Sequence, residues 1–176
     1  MGPDPDPNDP TPGMHIWGWM SPTELTWLGA AAAQMDSVVE IGCLHGRSAF
    51  ALLTACPGPV FCIDPWNDAG FNSFMGNCGH FENLRAIREA SPDAASNPIV
   101  PERVDMTFID GDHHYDSVMA DIECWLPKTT KLICGHDYYD TDPSVGWEVK
   151  RAVDEMFGDR VETTEGSSIW AVRLDE

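Results

Sequence analysis

The chain has 176 residues, 43% of them hydrophobic, and its 29 acids against 10 lysines and arginines give a net charge of −19. That length suits one domain with one core, and a field of that sign repels polyanions and anionic bilayers, so neither nucleic acid nor a membrane surface is an expected partner. No apolar run approaches the roughly 20 residues that span a bilayer, and no basic stretch followed by an apolar one marks a secretory signal, so a cytoplasmic protein is expected.

Residues 1–13, MGPDPDPNDPTPG, are acidic and proline-rich with almost nothing to bury. They read as a disordered or loosely extended arm, leaving residues 14–176 as a single domain. MHIWGWM at 14–20 then sets two tryptophans beside that arm, either to cap the core or to wall a ligand. Ser21, Pro22 and Glu24 spell a capping box with proline at the first helical position, which starts a helix running to about Gln34. Val38–Ile41 is a strand, and a helix follows from Arg47 or Ser48 to about Ala55. Val60–Ile63 is a second, wholly apolar strand of the kind buried on both faces.

Residues 65–80, rich in glycine and asparagine, read as a long loop with at most one helical turn, anchored by Trp66, Phe71 and Phe74. Leu84–Ile87 is read as a short third strand, and Ser91 as the cap of a short helix. Val104–Ile109 is the fourth strand. The helix from Asp116 to Leu126 carries Val118, Met119, Ile122 and Leu126 at helical spacing. Lys131–Cys134 is a fifth strand, residues 145–157 a helix, and 160–164 with 168–173 a closing antiparallel pair. Strands alternating with helices imply a parallel α/β sheet of the doubly wound, Rossmann-like kind, covered on both faces, with a C-terminal antiparallel hairpin. In such sheets ligands sit beyond the carboxyl ends of the strands.

Every residue of chemical interest falls there. After the first strand comes Glu40, then a turn with Gly42 and Gly46, then a helix opening at Ser48. Glycine lets backbone approach a ligand, and free N–H groups at a helix start suit a carboxylate or phosphate. The spacing is neither the dinucleotide fingerprint nor the phosphate loop, and Glu40 suits an amine or ribose better than a phosphate. Asp64 ends the second strand about 20 residues on, where a ribose hydroxyl is commonly held.

Two more strand ends carry acids and histidines: Asp110, Asp112, His113 and His114 on one, His136 and Asp137 on the other. Asp110, His136 and Asp137 could bind a divalent cation: Mg²⁺ if oxygen dominates, Mn²⁺ or another transition metal if the histidine joins. The letters Asp112-His113-His114 also spell a phosphoesterase signature, but that family needs further aspartate motifs and a second domain. The six cysteines, Cys43, Cys56, Cys62, Cys78, Cys124 and Cys134, lack C-x-x-C spacing and read as reduced thiols, mostly buried.

The Glu40–Gly46 pattern resembles motif I of the class I S-adenosylmethionine (SAM) methyltransferases. FIDGDHHYDSVMADIECWLP, LICGHDYYD and GWEVKRAVDEMF resemble the metal-dependent small-molecule O-methyltransferases, in particular the bacterial branch with IDGDHxY and GHDY motifs. GWMSPTEL is similar to the segment that covers SAM in these enzymes, so the likeness runs from about Gly18 to the C-terminus. It implies strand order 3-2-1-4-5-7-6. It also implies that Glu40, Gly42 and Ser48 line the methionine part of SAM with Met20 near it, that Gly46 and Asp110 belong to the cofactor site as well, that Asp64 holds the ribose hydroxyls, and that Ser91 approaches the adenine. Asp110, His136 and Asp137 match the metal positions, with His136 standing where the family has Asp, Asn or Glu. The base is Asp112 or His113; the histidine is better matched to neutral pH, and Asp112 would need its pKa raised. The acceptor would be a hydroxyl on a natural-product sugar or on a phenol or catechol, in a site open enough to invite a homodimer or higher oligomer. Methyl transfer to N or C without a metal, and a non-catalytic binding module, are the alternatives.

Overall fold

The computed structural model describes residues 4–139 and 148–174. Seven strands form one sheet: β1 (Val38–Ile41), β2 (Val60–Ile63), β3 (Leu84–Ile87), β4 (Val104–Ile109), β5 (Thr129–Gly135), β6 (Glu162–Thr163) and β7 (Trp170–Arg173). Their order is β3-β2-β1-β4-β5-β7-β6, parallel throughout the first five, with β7 antiparallel to both β5 and β6. This is the doubly wound architecture and the strand order expected from the sequence.

The helices are α1 (Pro22–Ala32), α2 (Arg47–Ala55), α3 (Asp68–Cys78), α4 (Ser91–Ala94), α5 (Tyr115–Trp125) and α6 (Val149–Phe157). Side chains alternate across each strand, so the sheet feeds two cores. On one face Val38, Cys62, Met106 and Phe108 pack under Leu25 and Leu28 of α1, Leu52 of α2 and Phe74 of α3. On the other, Val39, Ile63 and Ile133 meet Ile122 and Trp125 of α5 and Val153 and Phe157 of α6. Each such fully buried side chain contributes about 1.5–3 kcal/mol relative to exposure.

The capping box at α1 forms as expected: the Glu24 backbone N–H donates to Ser21 Oγ, and Glu24 Oε2 accepts from the Ser21 backbone at 2.8 Å. Two readings need correction. Residues 65–80 are not a long loop but hold α3, three turns capped by Asn67, whose Oδ1 accepts from Gly70 N at 2.8 Å. Glycine and asparagine content hid the helix. Its inward face, Phe71, Phe74 and Cys78, recurs every three to four residues and packs beside the Gly46 turn. Ser91 does not cap α4: Ala90 holds that position, and the Ser91 hydroxyl instead accepts from Trp125 Nε1 at 2.8 Å. The expected start of the last helix near 145, with Asp140, Asp142 and Pro143, lies outside the described residues.

Register decides what the sheet presents. Ile41 lies opposite Ile63 and Ile109, Ile63 opposite Ile87, and Ile109 opposite Gly135. The parallel strands therefore end level, and the residues that follow β1, β2, β4 and β5, Gly42, Asp64, Asp110 and His136, fall in one row along the carboxyl edge.

Candidate active site

A cleft of about 1160 Å³ opens over that row. Its floor is the turn after β1. Gly42 (φ +84°) passes so close to β4 that a Cβ there would sit 2.0 Å from the Asp110 carbonyl oxygen, and Gly46 (φ +95°) meets Cys78 Sγ in the same way at 2.6 Å. Both positions require glycine for conformation and for space. Asp64 Oδ2 accepts from the backbone N–H groups of Cys43 and Leu44, each at 3.0 Å, and Oδ1 from Trp66 N at 2.9 Å. The turn is thereby stitched to the end of β2, and Leu44 is held at φ 46°, a left-handed conformation uncommon for a branched residue.

The roof is the segment before α1. Arg47, buried at the start of α2, donates from Nε to the Ile16 carbonyl (2.6 Å) and from Nη1 to the Met20 carbonyl (2.9 Å). Gly18 lies flat on the Arg47 side chain, where a Cβ would meet it at 3.0 Å. This clamp holds Met20 in the cleft wall and carries Trp17 and Trp19, ring centroids 4.5 Å apart, at the mouth. Both indoles are about half exposed. Arg47 was read from sequence only as a helix start; its burial beside a glycine-rich strap is a tertiary fact.

Met20, Gly42, Ser48, Asp64, Ser91 and Asp110 all line the cleft. Glu40 does not. Its side chain is fully buried behind the turn, facing Ser48, Cys43 and Cys62, with no donor in hydrogen-bonding position on either oxygen. Burial raises its carboxyl to about 7, softened by the Ser48 hydroxyl and the Cys43 thiol nearby. Alternation along β1 explains this: Glu40 points to the α2 side, whereas the cleft opens beyond the strand's end.

At the other end of the cleft four groups converge. His113 Nε2 stands 3.0 Å from Asp137 Oδ2, and His136 Nδ1 stands 3.2 Å from Asp137 Oδ1 and 3.9 Å from Asp110 Oδ1. His136 Nε2 faces Glu24 Oε1 at 3.1 Å, an ion-pair distance without hydrogen-bond alignment. Burial opposes a charge on His136, but Asp137 and Glu24 outweigh it and lift the imidazolium to about 11. Burial likewise opposes ionisation of Glu24, yet His136, Ser21 and Ser168 bring it down to about 2. Asp137, at φ 59°, is held well below the usual carboxylate range against the cost of burial by its two histidines. Asp110 moves the other way: burial raises its carboxyl to about 6, with His136 lowering it and Asp137 adding to the rise.

The expected metal triad therefore meets in space, with a difference in emphasis. Ligand atoms of Asp110, His113 and Asp137 all lie within 4.8 Å of one another, while His136 is turned toward Glu24 as well. Glu24 entered the sequence reading only as a helix cap, and its second oxygen forms an ion pair across the domain. Asp112 lines the cleft but is engaged on both oxygens, accepting from Ser117 Oγ (2.8 Å) and meeting His114 Nδ1 (2.6 Å). Slight burial would raise Asp112, but those contacts lower it instead, the reverse of what a base requires. His113 is raised, because the Asp137 contact outweighs burial.

One further acid escaped the sequence reading. Asp121 of α5 is buried, 5% exposed, and lines the cleft beside Ser91. Burial raises its carboxyl to about 6. A signal was present: Asp121 sits with Val118, Ile122 and Trp125 on the buried face of an amphipathic helix.

All six cysteines are free thiols, five of them buried. Among the described residues no helix is long and apolar enough to cross a membrane.

Comparison with known proteins gives this geometry a context. An O-methyltransferase from Bacillus cereus, solved in complex with SAH, superposes with a TM-score of 0.69 at 21% identity, over 88% of this chain and 82% of that one. The N-methyltransferase NodS from Bradyrhizobium japonicum WM9 does so with a TM-score of 0.65 at 10% identity, over 88% and 94%. At such identities the likeness is one of fold, and the fold serves both oxygen and nitrogen acceptors. The chain is also 27% identical over 128 residues to y4gI of Sinorhizobium fredii (strain NBRC 101917 / NGR234), a protein named as uncharacterized; the match takes in 63% of this chain and 14% of that longer protein. Residues 39–138, from β1 to the aspartate–tyrosine pair after β5 and more than half of the chain, match the methyltransferase domain family, and the chain belongs to that family.

Proposed function

We propose that this protein transfers the methyl group of SAM to a hydroxyl of a small molecule, assisted by a divalent cation. The observation that carries the reading is continuity. One cleft runs from a glycine turn and a strand-end acid, suited to an amino acid and a ribose, to a cluster of two aspartates and two histidines. Ser48 at the α2 N-terminus and Met20 under the strap suit the methionine portion, and Asp64 suits the ribose hydroxyls. Glu40 acts from behind, through the turn and Ser48.

The donor atoms of Asp110, His113 and Asp137 fit a divalent cation, since they are close together, two of the three are acids, and Asp110 faces the cleft. When bound, such a cation lowers the pKa of a coordinated hydroxyl. Glu24 and His136 hold Asp137 in place beneath it, with His136 as an alternative ligand. Of the two expected bases Asp112 is disfavoured, because it is occupied by His114 and Ser117 and lowered in pKa; His113 serves as the base where His136 rather than His113 completes the cation's ligands. The acceptor class is a sugar or phenolic hydroxyl, consistent with the half-exposed Trp17 and Trp19 at the mouth. A cytoplasmic location and a single domain preceded by an acidic arm complete the reading, with homo-oligomerisation as a means of enclosing the acceptor.

The test is methyl transfer from labelled SAM to a panel of hydroxylated acceptors, with and without chelator, beside calorimetric titration of SAM and of Mn²⁺. Mn²⁺ binding weakened about 10-fold or more by Asp110→Asn and by Asp137→Asn is the expected result. Transfer that persists in chelator, or transfer to amines alone, removes the metal and oxygen parts of the reading; a chain that binds no SAM removes all of it.

A further inference from the structure

We infer that Glu40, Cys43 and Cys62 form a metal site of their own, set behind the glycine turn, for a thiophilic dication of the Zn²⁺ class. The inference does not depend on the methyl-transfer reading. It starts from an orphaned group. Glu40 is fully buried, and neither of its carboxylate oxygens has a hydrogen-bond partner. A buried carboxyl group needs a partner to offset its lost hydration. Glu40 faces the Ser48 hydroxyl and two thiols, none of which carries a positive charge, and nearby Asp110 adds a negative one.

The two thiols are placed to share an ion with it. Ligand atoms of Glu40, Cys43 and Cys62 all lie within 4.8 Å of one another, close to what one ion spans with bonds of about 2.0–2.3 Å. The backbone fixes all three. Glu40 lies opposite Cys62 in the register of β1 and β2, so both project to the same face of the sheet. Gly42, at φ +84°, turns the chain, and Cys43 follows with its N–H held by Asp64 Oδ2 at 3.0 Å. Its sulfur is thereby laid beside the same strands, 3.7 Å from the Glu40 carbonyl oxygen and 3.6 Å from that of Ile63. α2 begins beside the set with no side-chain cap at Gly46, so its positive end offsets part of the negative charge.

The donor set names the class of ion. Two sulfurs and one carboxylate suit Zn²⁺, which cysteine thiolates and acids bind in tetrahedral sites. Mg²⁺ and Ca²⁺ prefer oxygen alone, so this set and the cluster of Asp110 and Asp137 select different ions. In the metal-free chain burial favours the protonated carboxyl and thiols, and the ion takes the place of those protons. Once bound, it ties β1, β2 and the turn that floors the cleft to one centre. The cysteines lack a metal-binding spacing in sequence; the sheet register supplies it.

The experiment uses Co²⁺ as a spectroscopic substitute for Zn²⁺, on the full chain in a phosphine reductant. Because the ligands are buried, the ion is supplied both to the folded protein and during refolding from urea. A thiolate-to-cobalt charge-transfer band is expected, and Zn²⁺ should displace it. The cluster of Asp110, His113 and Asp137 has no sulfur and cannot give that band, so Asp110→Asn/Asp137→Asn should retain it. Cys124→Ser, which removes a thiol outside the set, should retain it too. Glu40→Gln, Cys43→Ser and Cys62→Ser should each weaken Zn²⁺ binding about 10-fold or more, since even a contact that only orients a ligand costs that much. Absence of the band from the wild-type protein under both loading conditions, a measurement that needs no variant to fold, would overturn the assignment. So would a full band in Cys43→Ser/Cys62→Ser. Neither readout involves SAM, so failure here leaves the methyl-transfer reading standing.

Discussion

Glu24 and His136 meet at 3.1 Å, carboxylate to imidazole, in the interior of the domain: one from the first turn of α1, the other from the end of β5. Glu24 also accepts from Ser168 N at 2.9 Å and from Ser21. One carboxylate thus joins the helix that carries the roof, the sheet edge that carries the acids, and the entry to β7. Removing it takes away one of the two carboxylates that offset a buried imidazolium. Glu24→Ala should destabilise the fold by about 3–5 kcal/mol in urea unfolding. The double variant Glu24→Gln/His136→Gln should cost clearly less than the sum of its parts, because the residues share one interaction.

Arg47 holds the roof through two backbone carbonyls. Arg47→Met keeps much of the packing and removes the donors, and should cost about 2–4 kcal/mol on the scale of hydrogen bonds from a charged group. Hydrogen exchange at residues 14–20 should accelerate before any global opening, and SAM affinity should fall about 10-fold. Unchanged exchange there would show that the strap is held by something else.

The two glycines of the turn should behave differently. An alanine Cβ at Gly42 meets a backbone oxygen, which can yield only by parting β1 from β4. Gly42→Ala should therefore cost about 3 kcal/mol or more and abolish donor binding. At Gly46 the obstacle is the Cys78 sulfur, a side chain. Gly46→Ala should show a milder loss, partly relieved by Cys78→Ala in a double-mutant cycle read by thermal unfolding.

Glu40 gives stability a defined pH dependence. Its folded carboxyl is raised by burial from an ordinary 4.5 to about 7. Between those values the folded state holds a proton that the unfolded chain has lost, so stability falls as pH rises through the window and levels off above it. The size is on the order of 3 kcal/mol. Glu40→Gln cannot ionise and should flatten this part of the curve, gaining most over wild type above pH 7. A parallel pair of curves from pH 4.5 to 7 would assign the dependence to another group.

Much of this molecule was legible in one dimension. The capping box of α1, the apolar runs of β1, β2 and β4 and the glycine turn are local events, governed by propensity, spacing and backbone freedom within a few residues. The alternation of strand and helix then fixed a parallel sheet, because that topology buries such runs on both faces. Placing Gly42, Asp64, Asp110 and His136 at strand ends was enough to expect them near one another.

The tertiary structure decided which way each side chain turns and what it meets. α3 forms because Phe74 and Cys78 find the back of the Gly46 turn, a reward invisible in a glycine-rich string. Glu40 is hidden and Asp112 is occupied by His114 and Ser117, although both lie in the quoted motifs, since strand alternation and local contacts outrank motif position. Glu24, Arg47 and Asp121 became part of the site only when distant segments were brought together. The sequence could name the chemistry available; burial, register and long-range charge pairing selected the groups that can perform it.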